Sequence, residues 1–357
     1  MTSIMPLLTV KELGIEYFDP NTEQLFPAVC DISFSLYPQN SLGIVGESGS
    51  GKSITLLSIL GLVNTAPGIT RGNITLQLAD KVVELLTPHP NETVNRTPIT
   101  RKNADSYLKQ KQRQLNTNYK NIRGKQISMI FQNPKLAFNP YTSIGNQICE
   151  MIRLHTSIKD TSAVKNKALY WLKKVGIEDV ETRFHNNPYG LSGGLCQRAM
   201  IALALSSEPK ILLADEPTTG LDAVLQLNII RLLKQLQTEF KLAMIVVSHD
   251  LRIIRALCDD VLIFHSGMIV EQGPVARVLE NSDSRHPFTR QLMNAESDTM
   301  CFVSDNAEKF HPDNGCSFYK NCAESYPSIA QQCARQTPPL TFLTNDAAVR
   351  CWKYNHD

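Results

Sequence analysis

Eight consecutive residues near the N-terminus have the types and spacing of a phosphate-binding loop. Glycines let such a loop curl so that its backbone N–H groups point at an anion. Lys52 can neutralise the β- and γ-phosphates of a nucleotide, and the hydroxyl of Ser53 can bind Mg²⁺. A plain Gly-Ser turn before a helix would need neither side chain. The loop fits the pattern G-x-x-x-x-G-K-[ST] and consists of Gly46, Glu47, Ser48, Gly49, Ser50, Gly51, Lys52 and Ser53.

Two acidic residues and one histidine follow apolar runs further along the chain. Asp215 and Glu216 come directly after the run 211–214, and burying acids is costly unless they are paired or bind a metal. Asp215 can support the Mg²⁺ shell, and Glu216 can polarise a water that attacks the γ-phosphate. His249 follows the run 244–247. A histidine at a strand end is more often structural, but these neighbours indicate a γ-phosphate contact.

The elements that must position these residues alternate between strand and helix. Alternating apolar residues predict half-buried strands over 7–17 and 28–36, and short apolar runs predict strands over 41–45, 211–214, 243–247 and 261–264. Helical patterns cover 53–62, most of 142–205, and 288–294. This alternation is typical of a layered α/β core.

The stretch 87–125 predicts a loop followed by a polar helix, and it admits two interpretations. One is a solvated insertion, and the other is a contact with acidic lipid headgroups. Its second half carries eight basic residues, namely Arg101, Lys102, Lys109, Lys111, Arg113, Lys120, Arg123 and Lys125.

Composition excludes several classes of protein. The chain has 357 residues, 36 basic and 34 acidic side chains and a net charge of +2, and 42% of its residues are hydrophobic. These values argue against a largely disordered chain and give no overall basic footprint for nucleic acid. We find neither a secretory signal nor an apolar run of about 18 residues that could span a membrane. We therefore expect a cytosolic protein that docks on a membrane protein.

One further segment identifies a family. Residues 191–198, Leu-Ser-Gly-Gly-Leu-Cys-Gln-Arg, resemble the signature of the ATP-binding subunits of ABC transporters, although Leu195 replaces the Gln of many relatives. In family order, Gln132 resembles the Q-loop glutamine, 219–222 the D-loop and His249 the switch histidine. Tyr17 resembles the aromatic residue that stacks on adenine, with a strand core residue as the alternative.

The resemblance implies a P-loop NTPase fold with a RecA-like core and with antiparallel β and α-helical subdomains. It implies a nucleotide-binding domain over 1–294, with the helical subdomain over about 126–205. The implied catalytic residues are Glu216, His249 and Gln132, and the implied Mg²⁺ ligands are Ser53, Gln132 and Asp215. The implied ATP contacts are Tyr17, residues 46–53, Gln132, Asp215, Asp222, His249 and, toward ATP held by a partner, Ser192, Gly193 and Gly194.

The cysteines are concentrated at the C-terminus, where five of the nine follow residue 300. Residues 285–292 resemble the HPYT-x-x-L element of oligopeptide and dipeptide importers, and residues 295–357 resemble their Cys-rich module. The second cysteine gap is wider than in relatives, and the usual His before the last Cys is missing. Four thiolates can hold a [4Fe–4S] cluster or a zinc ion. The resemblance implies the cluster, with zinc or no ligand as alternatives, and the implied ligands are Cys316, Cys322, Cys333 and Cys351. Cys30, Cys149, Cys196 and Cys258 are expected to be packing residues, and Cys301 has no assigned role.

The resemblance implies the ATP-hydrolysing motor of a membrane importer of di- or oligopeptides. Its implied partners are two membrane permease subunits, a second homologous ATP-binding subunit and, indirectly, an extracytoplasmic substrate-binding protein. The expected location is the cytoplasmic face of the inner cell membrane, as a peripheral protein. Antimicrobial peptides, nickel and sugars stay open as cargo. The alternative function is a soluble ABC ATPase that acts on nucleic acid or ribosomes.

Overall fold

The computed structural model describes residues 5–79, 81–86, 100, 104–280, 286–297, 315–344 and 346–355. The chain divides into two compact units, of which the first comprises residues 1–37, 41–119 and 248–357. The second comprises residues 38–40 and 120–247. The predicted loop over 87–99, Arg285 and Cys301 lie outside the described residues.

Strands and helices are numbered here in chain order. The strands are β1 Leu8–Asp19, β2 Gln24–Leu36, β3 Ser41–Gly46, β4 Pro67–Leu78, β5 Lys81–Leu86, β6 Ile127–Ile130, β7 Ile211–Asp215, β8 Ala243–Val247, β9 Asp260–His265, β10 Met268–Pro274, β11 Thr341–Thr344 and β12 Ala347–Val349. The helices are α1 Lys52–Ile59, α2 Ala104–Tyr119, α3 Pro134–Ala137, α4 Ile144–His155, α5 Thr161–Lys174, α6 Val180–Phe184, α7 Gly193–Leu205, α8 Ala223–Phe240, α9 Leu251–Leu257, α10 Val275–Val278, α11 Pro287–Ser297 and α12 Pro327–Arg335.

The first unit contains an antiparallel sheet in the order β2-β1-β4-β5. The predicted strands over 7–17 and 28–36 are confirmed and extend further, because β1 and β2 pair from Leu8↔Leu36 to Asp19↔Gln24. Leu8, Val10 and Ile15 of β1 are at most 1% exposed. This alternation of buried and more exposed side chains buries one face of the sheet.

The same unit contains the strands that carry the phosphate loop and the tail. Strand β3 lies parallel to β9, with Gly46 opposite Phe264. Strand β10 pairs antiparallel with β9 and with β12, and β12 pairs with β11. All six residues of β3 are buried, as expected of a strand covered on both faces. The C-terminal strands β11 and β12 thus extend the sheet of the phosphate-loop strand.

The second unit is built on the parallel strands β6, β7 and β8, which pair in that order. Every residue of these strands is buried, which explains their continuous apolar runs. Helices α3 to α7 connect β6 to β7 and confirm the helical pattern predicted for 142–205. Trp171 of α5 is 1% exposed and packs against Phe240 of α8, with ring centroids 5.0 Å apart.

Helix α2 confirms the polar helix predicted after residue 100. Its Leu115 and Tyr119 are buried, and the Tyr119 hydroxyl donates to the Ser58 carbonyl at 3.3 Å. Lys109 and Arg113 lie one helical turn apart and are exposed. The two interpretations of this basic segment stay open.

Candidate nucleotide site and cysteine cavity

The phosphate loop joins the end of β3 to the start of α1 within the first unit. Lys52 is 6% exposed, and its ammonium donates to the carbonyls of Gly46 at 2.8 Å and Glu47 at 2.5 Å. Its charge is therefore held inside the loop. Ser53, the next residue, is exposed. Burial raises the pKa of Glu47, although the charge of Lys52 opposes that shift.

Helix α1 begins without a side-chain cap. Gly51 occupies the N-cap position at φ 101°, and no side chain there accepts a hydrogen bond from the first turn. A Cβ at Gly51 would lie 2.7 Å from the Ala28 carbonyl oxygen, so only glycine fits this left-handed position. Because the first amides of a helix lack intrahelical partners, the start of α1 suits an anion.

The first unit also contains the predicted switch histidine and the predicted adenine contact. The Ser248 amide donates to the Ile44 carbonyl of β3 at 3.2 Å, which places the chain before His249 beside the strand that carries the phosphate loop. His249 itself is exposed. Tyr17 is half-buried and stacks on Phe26, with ring centroids 5.6 Å apart. One surface of its strand is therefore aromatic.

In the second unit, the parallel strands place two of the predicted Mg²⁺ ligands at the same edge of the sheet. Asp215 ends β7 and is 6% exposed, and Gln132 follows the end of the neighbouring strand β6. Glu216 adopts φ 47°, which is uncommon for a residue with a side chain. Its amide donates to the Val247 carbonyl at 3.0 Å, and its Oε2 accepts a hydrogen bond from Thr219 Oγ1 at 2.6 Å. Two hydrogen bonds thus hold Glu216 in a strained backbone conformation. Strain of this kind is concentrated at functional sites.

The predicted signature residues begin a long helix. Ser192 is the N-cap of the 13-residue α7, and its hydroxyl accepts from the Leu195 amide at 3.4 Å. Ser192 and Gly193 are exposed, whereas Gly194 is buried, and a Cβ there would lie 3.2 Å from Leu225 of α8. The exposed start of α7 therefore faces outward with its amides available to an anion.

The D-loop aspartate caps the start of a helix. Asp222 is the N-cap of α8, and its Oδ1 accepts from the amides of Val224 at 3.1 Å and Leu225 at 3.0 Å. This carboxylate fixes the start of α8, where Leu225 lies beside Gly194 of the signature helix. The nucleotide contact expected of Asp222 stays a prediction.

Two contacts near the site were not predicted. Thr219 was noted only as part of the D-loop, but it binds Glu216 directly. The turn Ser266–Gly267 between β9 and β10 contacts the phosphate loop, because the Gly267 amide donates to the Ser50 carbonyl at 3.0 Å. A Ser-Gly pair between two apolar runs predicts a hairpin turn. It does not predict which residues the turn contacts.

The four tail cysteines line one cavity. The eight described cysteines are free thiols. Those expected to be packing residues, at positions 30, 149, 196 and 258, are all buried. Further lining residues of the cavity include His286, Phe318, Glu324, Trp352 and Lys353.

Burial in the cavity favours the protonated form of three of its thiols, because it raises their pKa values. Burial, reinforced by the other three cysteines, raises the pKa of Cys316 to about 12. Burial also raises the pKa values of Cys333 and Cys351. Thiolates become favourable there only beside a cation. Within the part of the chain that the structure describes, no three His, Cys, Asp or Glu residues converge tightly enough for a single metal ion. Four thiols around one cavity are a donor set that suits either an iron–sulfur cluster or a zinc ion.

Charged and aromatic side chains tie the tail to α11. Glu324 binds both Arg290 of α11 and Lys353, the latter at 3.0 Å. His286 is 2% exposed, its Nδ1 accepts from the Phe288 amide at 3.1 Å, and burial lowers its pKa to about 3. It is therefore a neutral structural residue, and the HPYT-like element acts here as packing.

Comparison with known proteins agrees with this geometry. A family described as ABC transporter matches residues 29–219. OppD of Haemophilus influenzae, an oligopeptide transport ATP-binding protein, is 33% identical over 354 residues, which cover 97% of each chain. AppD of Bacillus subtilis, another oligopeptide transport ATP-binding protein, is 33% identical over 361 residues and 98% of each chain. The dimeric structure of MJ0796, a bacterial ABC transporter cassette, is 25% identical with a TM-score of 0.57, covering 75% of this chain and 98% of that one.

The fold and the site define an ATP-binding cassette of α/β character with mixed sheets. The chain belongs to the ABC transporter family and is one of its ATP-hydrolysing subunits. In the described residues, no helix has both the length and the apolar character needed to cross a membrane.

Proposed function

We propose that this chain is the ATP-driven motor subunit of an importer of di- or oligopeptides. This proposal rests on the similarity to OppD of Haemophilus influenzae, which covers 97% of both chains. That similarity includes the cysteine-lined tail beyond the matched family region, which ends at residue 219. The relatives reported above are transport proteins by name, which argues against the alternative role on nucleic acid or ribosomes.

The nucleotide-binding roles rest on the local geometry of each unit. Lys52 and the backbone amides at the start of α1 would bind the β- and γ-phosphates, and the Tyr17–Phe26 surface would receive adenine. Ser53, Asp215 and Gln132 offer oxygen ligands, which suit Mg²⁺. The ion would neutralise charge on the phosphates. Glu216, oriented by Thr219, would accept a proton from the attacking water. His249 would contact the γ-phosphate.

The signature residues would act on a second ATP-binding subunit. One chain carries one phosphate loop and one signature, and the exposed start of α7 offers Ser192 and the amides near Gly193 to a phosphate group held by a partner. We infer a homologous but different partner chain. ATP binding would close the pair and hydrolysis would reopen it, so that ATP biases a two-state assembly.

The membrane partners would bind near the Q-loop. Leu136 is 76% exposed and Tyr141 is 92% exposed, in the segment from Gln132 to Gln147 that resembles the docking region for a permease subunit. Contiguous exposed apolar surface marks interaction sites, and these two side chains would contribute to such a surface. We therefore infer two membrane permease subunits as partners and a peripheral position at the cytoplasmic face. An extracytoplasmic binding protein would deliver the cargo.

The tail, in this proposal, is the Cys-rich module of peptide importers and holds a [4Fe–4S] cluster through Cys316, Cys322, Cys333 and Cys351. The support is that all four line one cavity. When bound, the cluster would supply a covalent link among four segments of the tail. Zinc fits less well, because structural zinc sites favour closely spaced cysteine pairs and the gaps between these cysteines are wider.

Reconstitution tests the cargo and separates the two candidate functions. The chain would be assembled with its permease subunits, its homologous ATPase and the binding protein in lipid vesicles, and ATP hydrolysis would be measured. We expect peptides to stimulate ATP hydrolysis. We also expect them to accumulate on the side of the vesicle membrane that carries the ATPase subunits. Stimulation of the purified chain by RNA or ribosomes, with no response to peptides, would favour the alternative instead.

A further inference from the structure

The turn between β9 and β10 is a direct neighbour of the phosphate loop. Besides donating to Ser50, Gly267 accepts a hydrogen bond from the Cys30 amide at 2.7 Å. Its Cα would lie 3.6 Å from a Cβ placed on Gly51. Ser266 and Gly267 adopt φ 47° and 79°, the conformation of a tight hairpin turn. The turn therefore holds the backbone of Ser50 and lies close to Gly51, the two loop residues that precede Lys52.

His265, the residue that leads into this turn, is held by the tail. Its Nδ1 shares a hydrogen bond of 2.9 Å with the hydroxyl of Ser317. Its ring makes edge contacts with Phe288 and Phe318, at centroid distances of 4.5 and 5.4 Å. His265 is 6% exposed, so its ring has little freedom to turn away. Ser317 and Phe318 directly follow Cys316 of the cavity.

We propose that His265 and Ser317 are positioning residues for ATP binding. Ser317 fixes the His265 ring, His265 fixes the Ser266–Gly267 turn, and the turn holds the phosphate loop in the form that receives phosphate. Neither residue touches the nucleotide, and both act before the chemical step. This inference rests on the phosphate-binding role proposed above for residues 46–53.

Steady-state ATP hydrolysis by the full complex tests this series of contacts between Ser317 and the phosphate loop. Ser317→Ala removes the hydroxyl, and we expect the KM for ATP to rise about two- to fivefold, the effect of one modest hydrogen bond. The kcat should stay unchanged, because Glu216 and His249 are untouched. Ser317→Thr keeps a hydroxyl and should restore the KM. His265→Phe keeps the ring contacts but removes Nδ1, and it should match Ser317→Ala.

A matched control separates positioning from general weakening of the tail. Thr337 donates to the Gly315 carbonyl at 3.0 Å within the same segment. Thr337→Ala should lower thermal stability as Ser317→Ala does, but leave the KM unchanged. Hydrogen exchange of the Gly267 amide should quicken in Ser317→Ala only.

Two results would overturn the inference. One is an unchanged KM in both Ser317→Ala and His265→Phe, and the other is an equal rise in Thr337→Ala. If one variant fails to fold, the remaining one decides. Lys52→Ala provides the reference, because it should abolish binding of a fluorescent ATP analogue. Retained binding there would instead show that the proposed phosphate loop assignment is wrong.

Discussion

At the scale of single residues, Glu216 combines strain with a defined partner. Its backbone lies in the left-handed region, and Thr219 Oγ1 donates to its carboxylate. A carboxylate fixed in this way is suited to accept a proton from one water molecule, whereas the neutral amide of glutamine is not. Similar size and shape let glutamine occupy the same place.

Glu216→Gln is therefore expected to lower kcat by about 10²- to 10⁴-fold, the usual contribution of a general base. Binding of ATP should be retained. Single-turnover hydrolysis and binding of a fluorescent analogue measure the two effects. Glu239→Gln, which alters an exposed ion pair with Lys174, is the control and should keep full activity. Wild-type turnover by Glu216→Gln would assign the base to another residue.

Gly51 offers a second test at this scale. Gly51→Ala adds a Cβ that would lie 2.7 Å from the Ala28 oxygen at φ 101°, so the loop must shift. We expect nucleotide affinity to fall at least about tenfold, because the misplaced amides cannot all reach phosphate. Gly190→Ala is the control, since a Cβ there has no neighbour within 4 Å. Equal affinity of the two variants, measured by fluorescence titration, would contradict the assigned role of the loop.

At the scale of elements, local patterns predicted six of the twelve described strands, because a buried strand and a phosphate loop each need particular residues in sequence. The runs before Asp215 and Ser248 became β7 and β8 almost residue for residue. Contacts between distant segments could not be predicted. Nothing in residues 265–267 or in Ser317 indicates that a tail hydroxyl meets the end of β9, because that contact depends on β12 pairing with β10.

The ion pairs between α11 and the tail should make the tail sensitive to acid. Burial alone would raise the pKa of Glu324, but hydrogen bonds from Arg290 and Lys353 hold it below its ordinary value of 4.5. A lowered pKa in the folded state contributes stability above pH 4.5, and this contribution is lost as the pH falls through the folded-state value. Tryptophan fluorescence of Trp352 during acid titration should show this loss.

Glu324→Gln provides the comparison, since it cannot ionise. The variant should be less stable than wild type at neutral pH, and the difference should disappear on acidification. A constant difference across the titration would show that Glu324 acts through packing and not through charge.

The cysteine cavity predicts a spectroscopic property of the tail. Anaerobically purified protein should show broad visible absorbance and about four iron atoms per chain. Cys316→Ser should lose the iron, because one of four ligands is removed. Cys149→Ser, which alters a buried residue of the second unit, should keep it. Colourless, iron-free anaerobic protein would end the cluster proposal.

At the scale of the whole molecule, the two segments proposed to bind ATP from opposite sides, the phosphate loop and the start of α7, belong to different compact units. The phosphate loop belongs to the first unit and the exposed start of α7 to the second. The MJ0796 cassette, which has the same fold, is described as dimeric. We therefore expect ATP to join this chain to its partner subunit when hydrolysis is blocked.

The test uses the Glu216→Gln chain with its homologous partner, and light scattering after size-exclusion chromatography measures the mass. ATP should give a stable dimer and ADP should not. Ser192→Asp should prevent dimer formation, because aspartate still caps α7 but places a negative charge where the γ-phosphate of the partner's ATP would bind. Ser143→Asp replaces the N-cap of α4 in the same way and should dimerise normally. If Ser192→Asp dimerises as well as Ser143→Asp, the start of α7 does not receive the partner's nucleotide, and the two subunits must meet through another surface.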